Sequence, residues 1–159
     1  KSEALKPGFQ YQGDCLPYIK RNQMTAKGRV VETSFLKILE RVNYSYTLQF
    51  ISNEEGIMGS IVSNAAASLD LNDEIEFVIE NNPCLKFKFI SITERLNATP
   101  LVLRNTFNIN PDELELLANT SIKSFYIKDL KHNKIYKYEI QAIIKEELRN
   151  MIFCMRKNM

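Results

Sequence analysis

Glu74-Ile75-Glu76-Phe77-Val78-Ile79-Glu80 and, one short turn later, Leu85-Lys86-Phe87-Lys88-Phe89-Ile90 decide the fold of this chain. Ile75, Phe77 and Ile79 alternate with glutamates, and Leu85, Phe87 and Phe89 alternate with lysines. A period of two is the signature of a half-buried β-strand. The two stretches therefore predict an antiparallel hairpin with one apolar face and one Glu/Lys face, the latter read as a solvated ladder. Parity limits its register. The six apolar positions are all odd and must share a face, so the loop holds an odd number of residues. This excludes a two-residue turn at Asn82-Pro83. The two nearest registers set Glu76 opposite Lys86 or Lys88, a cross-strand pair contributing roughly 0.2–1 kcal/mol.

Upstream, residues 1–28 carry Pro7-Gly8, Gly13 and Pro17 without a sustained period. They predict an irregular lead-in with one short strand around Phe9 to Tyr11. From Arg29 to Val42 two patterns compete: Phe35, Ile38, Leu39 and Val42 have helical spacing, whereas Val31, Thr33 and Phe35 read as a strand. Tyr44, Tyr46, Leu48 and Phe50 alternate with Ser45, Thr47 and Gln49, predicting a strand rich in β-formers. Asn53 to Gly56 is a turn, and Ile57 to Ser63 a returning strand in which Gly59 marks a bulge or a close backbone approach. Asn64 to Ser68 reads as a loop and Asn72-Asp73 as a turn.

Downstream, Leu101, Leu103 and Thr106-Phe107 predict another strand. Asn110-Pro111-Asp112-Glu113 is a strong helix start: an N-cap side chain, a proline where no N–H is needed, and a glutamate placed to reach back. The short helix spans about 111–118, with Leu114, Leu117 and Ala118 inward and Asn119 expected to end it in the left-handed conformation. A second hairpin runs from Ile122 to Ile140 and turns near Lys131-His132-Asn133. Ile144, Leu148, Met151, Ile152 and Met155 then repeat at helical spacing, predicting an amphipathic helix over 142–157 packed on a sheet. Antiparallel hairpins with helices late in the chain predict an α+β fold, with a single domain over 29–159.

The 159 residues, 45% of them hydrophobic and 25% charged, suit one ordinary globular domain. A net charge of +2 creates no global demand for nucleic acid or anionic membrane. No stretch is long and apolar enough to span a membrane as a helix. The three cysteines, Cys15, Cys84 and Cys154, lack metal-like spacing, and their odd count leaves at least one without a partner in the chain. Cys154 reads as a core residue on the last helix and Cys84 as a turn residue.

Little in the chain points to chemistry. The single histidine, His132, falls in a turn between lysines, so a His-dependent triad would have to be built on it. No Ser or Cys sits in a nucleophile elbow. Gly56-Ile57-Met58-Gly59-Ser60 lacks the lysine and strand-to-helix context of a phosphate loop. Asp70, Asp73 and Glu74 cluster at a turn and read as caps rather than cation ligands. Asn43-Tyr44-Ser45, Asn97-Ala98-Thr99 and Asn119-Thr120-Ser121 match the glycosylation pattern but carry little weight in an Asn-rich chain. The second hairpin is more suggestive. Tyr126, Lys128, Lys134, Tyr136, Lys137 and Tyr138 interleave aromatic and basic side chains, as an interaction surface would.

Leu71-Asn72-Asp73-Glu74-Ile75-Glu76-Phe77, Phe107-Asn108-Ile109-Asn110-Pro111-Asp112-Glu113-Leu114 and Ile122-Lys123-Ser124-Phe125-Tyr126-Ile127 resemble, in that order, the closing elements of small exported or lipid-anchored β-rich proteins of the Bacteroidota. Val31-Glu32-Thr33-Ser34-Phe35-Leu36-Lys37 resembles a strand of the same pattern and turns the ambiguous segment toward strand. The glycines usual in the first hairpin are replaced here by Asn72 and Asn82-Pro83. The resemblance covers the last two-thirds of the chain and implies an extracytoplasmic location, with no activity and no functional residues to carry over.

These readings predict a non-enzymatic binding or protein-interaction module of the bacterial cell envelope, periplasmic or cell-surface, with a protein partner and without cofactor or metal. The start at Lys1 fits a processed or trimmed N-terminus. The alternative is a cytoplasmic protein that associates with nucleic acid through the basic hairpin 122–140; the modest net charge makes nucleic acid the lesser expectation.

Overall fold

The computed structural model describes residues 8–64, 69–70, 72–80, 84–90 and 93–159. A 3₁₀ turn (Leu16–Tyr18) leads into β1 (Ile19–Thr25), β2 (Gly28–Thr33), β3 (Leu36–Glu40), β4 (Ser45–Asn53) and β5 (Gly56–Asn64). The predicted hairpin follows as β6 (Glu74–Ile79) and β7 (Leu85–Lys88), then β8 (Glu94–Asn97) and β9 (Val102–Ile109). Helix α1 (Pro111–Asn119), β10 (Ile122–Asp129), β11 (Lys134–Glu139) and α2 (Ala142–Asn158) complete an α+β fold dominated by antiparallel sheet.

The strands form two sheets. The larger has the order β1-β2-β4-β5-β9-β8, with β3 also paired to β4; the smaller has the order β11-β10-β6-β7. Their apolar faces meet in one core, to which Leu148, Met151, Ile152 and Met155 of α2 contribute. The sheets join along one side, where Phe89 bridges to Phe107 and the Ile90 N–H donates to the Thr106 carbonyl (2.9 Å). Gly59 faces Phe107 in the register, and a Cβ on Gly59 would lie 2.4 Å from that ring. The close backbone approach expected at Gly59 is thus the seat of a buried phenyl ring.

The parity argument holds. Glu74 pairs with Lys88, Ile75 with Phe87, Glu76 with Lys86 and Phe77 with Leu85. The helix start also forms as read: the Glu113 N–H donates to Asn110 Oδ1 (2.8 Å) and the Asn110 N–H to Glu113 Oε1 (2.9 Å). Asp73, 3% exposed, caps its turn by accepting from the N–H groups of Asp70 (2.7 Å) and Leu130 (3.0 Å). The hairpin of β10 and β11 turns where expected, with Asn133 at φ 55°. The loop residues 65–68 and the turn residues 81–83 lie outside the described residues.

Three expectations are corrected, and one open choice is decided. Residues 19–25 of the expected lead-in form β1, while Phe9 to Tyr11 form no strand; instead Phe9 and Tyr11 pack edge-on against Phe153 of α2 (5.7 and 6.5 Å between centroids). The 29–42 segment is strand, the side to which the resemblance turned it, because pairing with β4 outweighs the competing helical spacing. Asn119 stays helical and donates to the Glu115 carbonyl (2.8 Å), and the extended Thr120 ends α1. The Glu/Lys face is a solvated ladder only in part: Lys86 and Lys88 are exposed, but Glu74 and Glu76 are not. β6 lies between β7 and β10, whose long side chains cover it, and Glu76 is only 8% exposed.

Cys15 and Cys154 form a disulfide, which the odd cysteine count left undetermined, and Cys84 is free and exposed. The bond links positions 139 residues apart and ties the lead-in to α2. Closing so long a loop removes unfolded-state entropy worth about 5 kcal/mol. The double variant Cys15→Ser, Cys154→Ser is expected to lose about that much in urea denaturation. Reductant should destabilise the parent chain similarly and leave the variant unchanged.

Candidate functional site

In the hairpin of β10 and β11, Phe125 faces Tyr138, Tyr126 faces Lys137, Ile127 faces Tyr136 and Lys128 faces Ile135. Strand alternation therefore divides the six predicted surface residues between two faces. Tyr126, Lys128 and Lys137 lie on the outer face. Tyr136 and Tyr138 turn toward the core with Phe125 and Ile127, while Lys134 sits exposed beside the turn.

On the outer face Lys128 is committed to charge pairing. Its Nζ donates to Glu76 Oε1 and lies 3.9 Å from Glu74 Oε1, with only 15% of its side chain exposed. Burial alone would raise the Glu76 carboxyl. The Lys128 ammonium, the Cys84 thiol and the Lys86 charge outweigh it and hold Glu76 below its ordinary value. The Glu76 carboxylate in turn pushes the Cys84 thiol up, away from thiolate chemistry. Tyr126 has Lys128 and Lys137 over its ring at 5.9 and 5.7 Å. One aromatic ring and one exposed lysine, Lys137, itself 3.9 Å from the Glu139 carboxylate, are a small display beside what the sequence pattern suggested.

The inner face gives the tyrosines a different role. Tyr138 packs against Tyr44, Tyr46 and Phe125 with ring centroids 5.3–6.3 Å apart. Its hydroxyl lies 3.4 Å from that of Tyr44, and the Arg41 guanidinium sits 5.8 Å from its ring. Burial pushes the Tyr46 hydroxyl up to about 12, and burial with the neighbouring Tyr44 also raises Tyr138. These phenols remain neutral at physiological pH and act as packing and hydrogen-bonding groups.

The same tyrosines span the open side of the sandwich. One side is stitched by Phe89 and Phe107. On the other, β3 and β11 are the edges, and among the described residues no strand pairs with the outer side of either. Between them lies a cleft of about 380 Å³, walled by residues 37–41 on one side and Glu139 on the other, with Gln141 and, from α2, Ile144 at its end. The Ile140 N–H donates to the Lys123 carbonyl (3.1 Å), which marks that position as a hydrogen-bonded pair. The antiparallel alternation then turns the N–H and C=O groups of Ile135, Lys137 and Glu139 away from β10. Ile135 is 60% exposed. This edge, with the cleft beside it, is the candidate site. Arg41 and the β3 edge carry no sequence signal for it, because only the folded arrangement brings them beside β11.

His132 is exposed at the hairpin turn, its Nδ1 2.8 Å from Asp129 Oδ2. Burial of Asp129 is outweighed by His132, so its carboxyl titrates below the ordinary range.

The Glu76–Lys128 pair gives a signed prediction. Glu76 is depressed on folding, so its contribution is complete above the ordinary carboxylate pKa of about 4.3 and fades as pH falls through the lower folded value. Lys128→Met should cost about 1–3 kcal/mol near neutral pH by stranding a buried carboxylate. Stability curves of parent and variant should converge in acid, and Glu76→Leu added to Lys128→Met should restore much of the loss. No family model, curated protein or solved structure matches the chain.

Proposed function

We propose that this chain is a non-enzymatic binding module of the bacterial cell envelope that receives an extended segment of a protein partner along the free edge of β11. The observation that carries the reading is that edge itself: outward N–H and C=O groups at Ile135, Lys137 and Glu139, beside an open cleft. A strand added there gains main-chain hydrogen bonds from the edge and side-chain contacts from the cleft, the usual division between affinity and specificity in strand addition. Lys134 and Lys137 put positive charge along the edge, a feature that discourages indiscriminate strand pairing. The same lysines favour a segment carrying Asp or Glu. The Cys15–Cys154 disulfide supports an oxidising compartment.

A displayed library of extended ten-residue segments supplies the probe. Selected binders should be enriched in acidic residues and should slow amide exchange at Ile135, Lys137 and Glu139. Ile135→Pro removes an outward N–H without touching the ladder to β10, and should abolish binding while the fold persists. Lys134→Glu with Lys137→Glu should weaken binding about tenfold or more. A selected segment that protects no β11 amide, or binds Ile135→Pro as tightly, defeats the reading. Compartment is tested separately by thiol alkylation and mass spectrometry of the protein taken from its own cells. Cys15 and Cys154 should resist alkylation until reductant is added; free thiols at both positions would contradict an envelope location.

A further inference from the structure

The face of the larger sheet that points away from the core holds a second concavity, of about 300 Å³. Its floor can be read from the strand registers. Gln49 of β4 pairs with Ser60 of β5, and Ser60 with Thr106 of β9, so three polar uncharged side chains lie in one row across three adjacent strands. Ser60 Oγ is 3.3 Å from Thr106 Oγ1, and the Gln49 amide donates to the Thr33 carbonyl (3.2 Å). Gln49 and Ser60 are 8% and 7% exposed. Ile51 and Met58, the next outward-facing pair, make an apolar border.

The charges are arranged about this floor. Lys20 enters from β1, 5.0 Å from the ring of Phe35. Arg104 enters from β9; its Nε is buried without a hydrogen-bond partner, and its nearest carboxylate, Glu94, is 3.9 Å away. Among the described residues the one carboxylate in the lining, Glu32, lies 3.6 Å from Arg21. Two cations thus face the concavity, and its single anion is already engaged.

We infer that this concavity binds a hydroxyl-rich ring bearing one carboxylate, an acidic sugar. A row of hydroxyl and amide groups matches several ligand hydroxyls at once. An apolar border with an aromatic ring suits the C–H face of a sugar, and the outer nitrogens of a guanidinium suit a carboxylate. The volume lies at the lower end of small-molecule sites, which span roughly 300–1,000 Å³. The site is on the opposite face of the large sheet from the core and does not depend on the β11 edge.

Glucuronate is the probe, titrated to about 10 mM while amide and side-chain shifts are followed by NMR, with glucose and acetate as controls. Saturable shifts centred on Gln49, Ser60 and Thr106 are expected with glucuronate, at least about tenfold tighter than with either control. Arg104→Gln should weaken binding about tenfold, and so should Ser60→Val, which removes the central hydroxyl. Lys20→Gln, at an exposed position, tests the same charge without disturbing the sheet and should weaken binding severalfold. Lys134→Glu with Lys137→Glu should bind glucuronate as the parent does. Absence of saturable shifts, equal binding of acetate or glucose, or parent-like binding by both cation variants overturns the inference.

Discussion

The ring of Phe107 is the contact on which both sheets depend. It lies in the space left by Gly59 on the neighbouring strand, and Phe77, Phe87 and Phe89 of the smaller sheet pack around it. The backbone of the same residue bridges to Phe89, so the apolar contact and the hydrogen-bonded join coincide. A sandwich of two sheets needs something to fix their offset as well as to hold them together. Here the ring sets the spacing and the bridge sets the offset. With one side stitched in this way, the opposite side is free to stay open.

Much of this architecture could be read along the chain, for a local reason. Period two at Glu74–Ile90, the capping residues at Asn110–Glu113 and the helical spacing after Ala142 each encode their geometry within a few residues. Parity also excluded the two-residue turn and left Glu76 facing one of two lysines. What could not be read was decided between distant segments. Whether 29–42 became strand depended on β4. Whether Glu76 met solvent depended on β10, which supplies the lysine that neutralises it. The partner of Cys154 lies 139 residues away.

The candidate site shows the same division. The aromatic and basic residues of the second hairpin form one group in the sequence because they are neighbours along the chain. The pleat then separated them, sending Tyr126, Lys128 and Lys137 outward and Tyr136 and Tyr138 inward. An aromatic and basic composition thus described two surfaces with unlike roles: one an ion-pair network, the other the packed margin of an open cleft. Strand direction, more than residue type, determines which side chains can act together. Arg41 and Tyr44 join the inner group only because the two sheets face each other.

The link between Cys15 and Cys154 also governs how the molecule responds to tension. A pull applied through the backbone just before Cys15 and just after Cys154 would travel across the sulfur bridge and spare the strands between them. The two sheets sit inside a covalent ring and bear no load. A body that is only marginally stable toward unfolding in solution can in this way hold under a stretching force, as long as the sulfurs stay joined.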